Sequence, residues 1–344
     1  FTGNEKAYPF TEHASPVPRG HNLQVEGDNG GPLLMKILTE AVNSRAVDVH
    51  YDSRALTLIV NDAGDVDGIV VRIDQQEKNV RARKGVILCA GGFCMNEDMV
   101  KKYAPTFDCG LIPIGNPGDT GSGILMGMGA GAGTSNMHEC FVSLPYYPPA
   151  SLTYGILVND KAQRFINEDC YHGRVGYNAL IAQRNSSRIY FITDVEGYGD
   201  YEKMSYLGAT VAGTGDSIAE LEQELALPEG SLQYTVDTYN KHAETGDDPY
   251  FHKHEAWLRP IKPPYVALDC TLGRGPFYPF FTLGGLDTLP SGEVLTPEGN
   301  IIKGLYAAGR TTAGIPRTAA GYASGMSVGD VTYFGRMAGK TASL

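Results

Sequence analysis

The sequence predicts an α/β fold interrupted by an inserted α+β domain, and three observations carry that expectation. The run Gly85-Val-Ile-Leu-Cys-Ala90 is continuously apolar and stops at Gly91-Gly92-Phe93. A strand buried on both faces of a parallel sheet reads this way, and its glycine end is a ligand-type turn. A second strand, Gly304-Leu-Tyr-Ala-Ala-Gly309, ends similarly and leads into a glycine-rich run from Gly314 to Gly335 that contains Gly321, Gly325 and Gly329. Between the two, from about residue 135 to 265, aromatic loops mix with separate strand and helix signals.

The elements follow in order. Residues 1–28 lack periodicity, carry Pro9, Pro16, Pro18 and Gly20, and read as a surface loop or connector. Gly30-Gly31-Pro32 marks a helix start, after which Leu33, Leu34, Ile37, Leu38, Ala41 and Val42 recur on one helical face. A β meander is expected over 47–51, 56–61, 66–73 and 78–83, with a turn at Asp62-Ala63-Gly64. Asn116-Pro-Gly-Asp-Thr-Gly-Ser-Gly123 opens a glycine-rich helix over 124–131 whose free amides could face an anion. Within the inserted region a strand spans 188–193, a helix starts at a capping box of Ser217 and Glu220, and another helix covers 232–242. After Pro263-Pro264 the glycine-rich character returns, with Thr282-Leu-Gly-Gly-Leu286 and a hairpin around Ser291-Gly292.

Composition narrows the function. The 344 residues are 42% hydrophobic, enough for a packed core of about two domains. A net charge of -11, from 28 Lys and Arg against 39 Asp and Glu, without a basic cluster, argues against nucleic-acid binding. Six scattered cysteines form no CxxC pair and have no histidine at ligand spacing, so neither a metal site nor a disulfide framework is expected. A reducing compartment fits. No apolar run approaches the ~20 residues of a membrane span and residues 1–10 are polar, so a cytoplasmic protein is expected. Glycine is abundant at 43 residues, and its clustering at strand ends points to backbone lying close to a long flat cofactor. The fingerprint GxGxxG is absent.

Residues 84–93 (KGVILCAGGF), 116–132 (NPGDTGSGILMGMGAGA), 157–168 (LVNDKAQRFINE), 282–286 (TLGGL) and 304–339 resemble, in order and spacing, the fumarate reductase and 3-ketosteroid dehydrogenase superfamily of FAD flavoproteins. The resemblance implies a Rossmann-like FAD-binding domain with an inserted substrate (capping) domain. Residues 1–134 would be the first part, 135–265 the insert and 266–344 the return. In that family GxGxxG lies in an N-terminal segment, so the chain reads as the family without its first βαβ part. The implied flavin contacts are Ala55 by the adenine, Gly91 and Gly92 near the pyrophosphate, Gly121 and Ser122 near the ribityl or ribose, and Gly309 with Arg310 after the second strand. Gly325, Ser327 and Val328 would follow at the isoalloxazine, with the amides of Ser327 and Val328 toward its oxygen. Two positions depart from the family pattern: Ser122 replaces the Asp of TGDG, and Arg310 replaces an acidic residue.

The substrate positions depart further. Where fumarate reductases resemble one another in a His, an Arg and an acid Arg, this chain has Phe281, Tyr322 and His172. Charge-assisted arginine contacts are the strong way to hold a carboxylate, so their loss points to an uncharged, apolar substrate. Gly321-Tyr322-Ala323-Ser324-Gly325 together with Tyr171 is similar to the 3-ketosteroid 4(5α)-dehydrogenases, which set two tyrosines and a serine around the steroid A ring. The resemblance therefore implies Tyr171, Tyr322 and Ser324 as catalytic residues, with Ser324 as relay for Tyr322. Both tyrosines could instead be packing aromatics, and Ser324 a turn residue. His172 reads as a loop histidine near solvent. The implied activity forms or reduces a C=C bond beside the ketone of a steroid-like substrate, with FAD as cofactor and an electron acceptor the sequence does not identify. The alternatives are a flavin reductase of another enone or acrylate, and a truncated, non-catalytic fragment.

Overall fold

In the computed structural model, which describes residues 30–323 and 325–344, the first element is helix α1 (Gly30–Asn43). The loop expected over 1–28 lies outside the described residues. Helix α1 has the expected bounds yet buries none of its residues against the described chain, and Met35, Ile37 and Leu38 stay exposed. Strands β1 (Arg54–Val60), β2 (Val66–Ile73) and β3 (Gln76–Arg81) form the antiparallel meander. Its expected first strand is a correction: residues 47–51 form no strand, and Val47, Val49 and Tyr51 are exposed. Extended propensity without a ladder partner does not make a strand, and Asp52, at a φ of 52°, turns the chain just before β1.

Strand β4 (Val86–Leu88) leads to α2 (Glu97–Tyr103), β5 (Ile112–Pro113), α3 (Ser122–Gly129), β6 (Thr134–Ser135) and β7 (Cys140–Val142). Asn96 caps α2 by accepting the Met99 amide, and left-handed Gly121 (φ 76°) starts α3. Strand β8 (Ile156–Asn159) and helix α4 (His172–Ala182) follow. Next come β9 (Ile189–Asp194), the single turns α5 (Val195–Tyr198) and α6 (Tyr201–Met204), and β10 (Val211–Gly215). Helix α7 (Ile218–Glu224) begins at the expected capping box, with both reciprocal bonds of Ser217 and Glu220 made, and α8 (Ser231–Ala243) follows it. The chain ends with β11 (Tyr265–Asp269), β12 (Pro279–Thr282), β13 (Gly285–Leu286), β14 (Glu293–Leu295), β15 (Ile301–Ala307) and the long helix α9 (Met326–Ser343).

Strands β10-β11-β9-β8 make an antiparallel sheet whose inner face meets α7 and α8 around Ile192, Leu221, Leu232 and Val236. A larger core runs through the rest of the described chain. Beside the sheet, Glu168 and Lys253 have fully buried side chains, and Glu168 accepts from both Arg164 and the Leu157 amide while Arg164 also pairs with Asp248. Two acids against two bases keep this buried group neutral.

β4 and β15 pair in parallel, Leu88 opposite Ala307, as the paired glycine-ended strands require. The expectation that β4 is covered on both faces is corrected: Leu88 is buried on one face, but Ile87 on the other is 38% exposed, because no described element covers that face fully. No described helix is long and apolar enough to cross a membrane.

Candidate active site

The parallel register brings the two glycine turns side by side. The Ala308 amide donates to the Leu88 carbonyl, after which Gly91 (φ 75°) and Gly309 (φ 68°) both turn left-handed. At Gly91 glycine is obligatory twice over, since a Cβ there would sit 1.8 Å from Asp119 Oδ1. The turn is held from three sides. Thr311 Oγ1 donates to the Gly91 carbonyl, the Gly121 amide donates to the Gly92 carbonyl, and the Phe93 amide donates to Thr282 Oγ1 on β12.

These turns wall a cavity of about 470 Å³ that Phe281, Arg310, Tyr322, Ser327 and Val328 complete. Ser327 and Val328 lie on the first turn of α9, where amides are not used by the helix itself and left-handed Gly325 (φ 85°) provides the cap. Of the residues expected from sequence, Gly91, Gly309, Arg310, Tyr322, Ser327 and Val328 come together here. Gly92, Gly121 and Ser122 stand just behind them in the turn and at the start of α3, and Ala55 lies on β1, packed against the larger core. Ser324 lies outside the described residues.

One wall is aromatic. Phe141 on β7 and Phe281 on β12 are cross-strand partners with ring centroids 4.7 Å apart, and the Tyr322 ring lies 4.6 Å from Phe141. Tyr171, the residue before α4, is buried 6.2 Å from the Tyr322 ring. The Tyr322 hydroxyl donates to Ser327 Oγ at 3.0 Å. Phe141 has no glycine or charge signature in the sequence, and only the pairing of β7 with β12 reveals it.

His172 corrects its reading as a solvent-side loop residue. It opens α4, its ring lies 4.2 Å from Tyr171, and Nδ1 is 2.5 Å from Ser143 Oγ. Burial among Phe141, Tyr147 and Tyr171 pushes its pKa down to about 4, so the ring is neutral. Arg310 is also changed by its surroundings: its guanidinium pairs with buried Asp119 and lies 5.2 Å over the Phe281 ring. A paired guanidinium leaves the cavity without a free cation at that wall. The six cysteines are free thiols, and burial raises the pKa values of Cys94 and Cys89 beside the turn, so neither is an activated nucleophile.

The FAD binding domain model matches residues 13–326. A fumarate reductase (cytochrome) from Shewanella frigidimarina is 28% identical over 340 residues, covering 95% of this chain and 57% of the relative. A 3-oxosteroid 1-dehydrogenase from Mycobacterium tuberculosis is 29% identical over 327 residues, 82% of this chain and 58% of its own. The chain thus spans a little over half the length of these curated relatives. Among solved structures, the 3-ketosteroid-delta4-(5alpha)-dehydrogenase from Rhodococcus jostii RHA1, in complex with 4-androstene-3,17-dione, superposes with a TM-score of 0.89 at 40% identity, over 98% of this chain and 70% of that one. A 3-ketosteroid delta1-dehydrogenase from Sterolibacterium denitrificans gives 0.70 at 27% identity, over 89% and 62%.

Proposed function

The chain belongs to the FAD binding domain family, and on that premise we propose that its protein is an oxidoreductase that forms or reduces a C=C bond beside the ketone of a steroid-like substrate. The described residues fit the cofactor. Two left-handed glycines and the unused amides of α9 leave bare backbone on part of the cavity wall, where a flat ring system could lie close. Gly91, Gly309, Ser327 and Val328 would hold it. When bound, FAD supplies the acceptor for the hydride that leaves the substrate carbon.

The observation that carries the substrate class is the uncharged wall. Phe281 and Tyr322 present aromatic surface, Phe141 and a neutral His172 pack behind them, and Arg310 is already paired with Asp119. A dicarboxylate would lose hydration there without gaining charge-assisted bonds, whereas a neutral ketone would lose little. Two phenols then have complementary tasks. Tyr171 donates a hydrogen bond to the ketone oxygen as enolate charge develops, and Tyr322 takes the proton from the adjacent carbon. Tyr322 acts as the phenolate: its phenolic proton passes to Ser327 Oγ as the Ser327 hydroxyl proton passes on to solvent water, and the first turn of α9 favours the negative charge left on Tyr322. Ser324 keeps its proposed part as a further member of this relay.

The test uses the whole flavin-loaded protein. An androstane-type 3-ketone should bleach the flavin, and succinate should not. Bleaching by succinate alone would return the site to dicarboxylates, and bleaching by a non-steroidal enone alone would favour the general enone reductase.

A further inference from the structure

Tyr322 stands in a stretch without a helix or strand over residues 313–323, so something else must fix its phenol. Three side chains from three separate segments grip that stretch. Asp330 of α9 accepts the Ile315 amide at 2.8 Å, Glu139 accepts the Ala319 amide at 3.0 Å, and Arg174 Nε donates to the Ala320 carbonyl at 3.1 Å. The last two act on successive residues, just ahead of Tyr322.

Arg174 differs from the other two in where it comes from. It lies in the first turn of α4, three residues after Tyr171, and is only 6% exposed. Tyr171 is the N-terminal cap of α4, and its carbonyl accepts the Arg174 amide at 2.8 Å and the Val175 amide at 3.2 Å, which ties the two residues to one end of the helix. The helix that Tyr171 caps therefore holds, through a charged donor, the peptide two residues from Tyr322. Rotation of the Ala320 peptide would swing Tyr322 away from both Tyr171 and Ser327. A charge-assisted bond from a buried side chain resists that rotation better than solvent could.

We infer that Arg174 is a positioning residue that sets the spacing of the Tyr322 phenol from the Tyr171 phenol. The inference rests on the proposed role of Tyr322. Its test is a double-mutant cycle in the whole flavin-loaded protein, followed by stopped-flow flavin reduction with a saturating 3-ketosteroid. Arg174→Ala should lower kcat by roughly 10- to 100-fold with KM changed less than about threefold, and Arg174→Lys should recover part of the loss because a cationic donor remains. In the Tyr322→Phe background the same Arg174→Ala change should cost less than about threefold. A second readout needs no turnover: Arg174→Ala should move the ionisation of Tyr322, seen as the tyrosinate absorbance difference against Tyr322→Phe.

An equal loss in both backgrounds would make Arg174 merely structural and overturn the inference, as would an unmoved tyrosinate titration. Should Arg174→Ala fail to fold, the cycle with Arg174→Lys decides in the same way. If Tyr322→Phe alone reduces flavin at the wild-type rate, the role of Tyr322 falls and the inference falls with it. Additivity and a silent Tyr322→Phe are different results, so the two failures are told apart.

Discussion

The Tyr322 hydroxyl donates its hydrogen bond to Ser327 Oγ, five residues on and at the head of α9, across 3.0 Å. If Tyr322 handles the substrate proton, Tyr322→Phe should lower the rate of flavin reduction by roughly 10²- to 10⁴-fold, the range for a lost acid/base group. Ser327→Ala should cost less, since water can replace a hydroxyl as acceptor. Steroid affinity should change little, because phenol to phenyl preserves the apolar surface. Near wild-type rates in Tyr322→Phe and Tyr171→Phe alike would return both residues to packing.

Asp119 and Arg310 should not be equivalent partners. The Asp119 side chain is 4% exposed and that of Arg310 31%, so removing the base strands a buried charge while removing the acid strands one that water can reach. Arg310→Met is expected to destabilise by about 3 kcal/mol. Asp119→Asn should lose about 1 kcal/mol, the worth of an ordinary hydrogen bond. Urea midpoints at neutral pH give the order directly, and the reverse order would mean that the pair is solvated more than its burial indicates.

His172 makes stability depend on pH in a defined direction. Its folded pKa, about 4, lies below the value near 6.5 of an unfolded histidine. The unfolded chain therefore binds the extra proton first. Above pH 6.5 His172 contributes no penalty, and as pH falls from 6.5 toward 4 the unfolded state gains. His172→Gln cannot titrate, so its urea midpoint should fall less between pH 7 and 5 than that of the wild type. Parallel pH profiles for the two proteins would show that His172 reaches solvent.

Glu168 should be the most sensitive member of the buried charge group. It faces Arg164 and the fully buried Lys253 together, leaving Asp248 as the remaining acid in that group if it is neutralised. Glu168→Gln is expected to lose about 3 to 5 kcal/mol. Thermal unfolding followed by circular dichroism measures this, and a loss below about 1 kcal/mol would mean that water enters beside Lys253.

Much of the site was legible because its signals are local. Gly91 and Gly309 follow apolar strands within a few residues, and the Ser217-Glu220 box is written in four. What was not legible depends on separation along the chain. Arg310 and Asp119 are 191 residues apart and Arg174 and Ala320 are 146 apart, so no motif joins them. His172 sounded polar and solvent-side because its histidine type says nothing of the rings that Phe141, Tyr147 and Tyr171 bring to it from other segments. The failed strand at 47–51 shows the converse, since Val47 and Val49 have the right residue type but no neighbouring strand among the described residues to bond.

The smaller core, between the four-stranded sheet and helices α7 and α8, contributes none of its buried side chains to the glycine-walled cavity. Substitutions such as Ile192→Val or Leu221→Met would then be filtered by foldedness alone and not by chemistry. In a saturation library scored separately for abundance and for turnover, positions of this core should fall on the diagonal, whereas Phe141 and Phe281 should fall below it. Sequence drift can therefore accumulate in that smaller core while the reacting groups stay under a stricter, independent constraint.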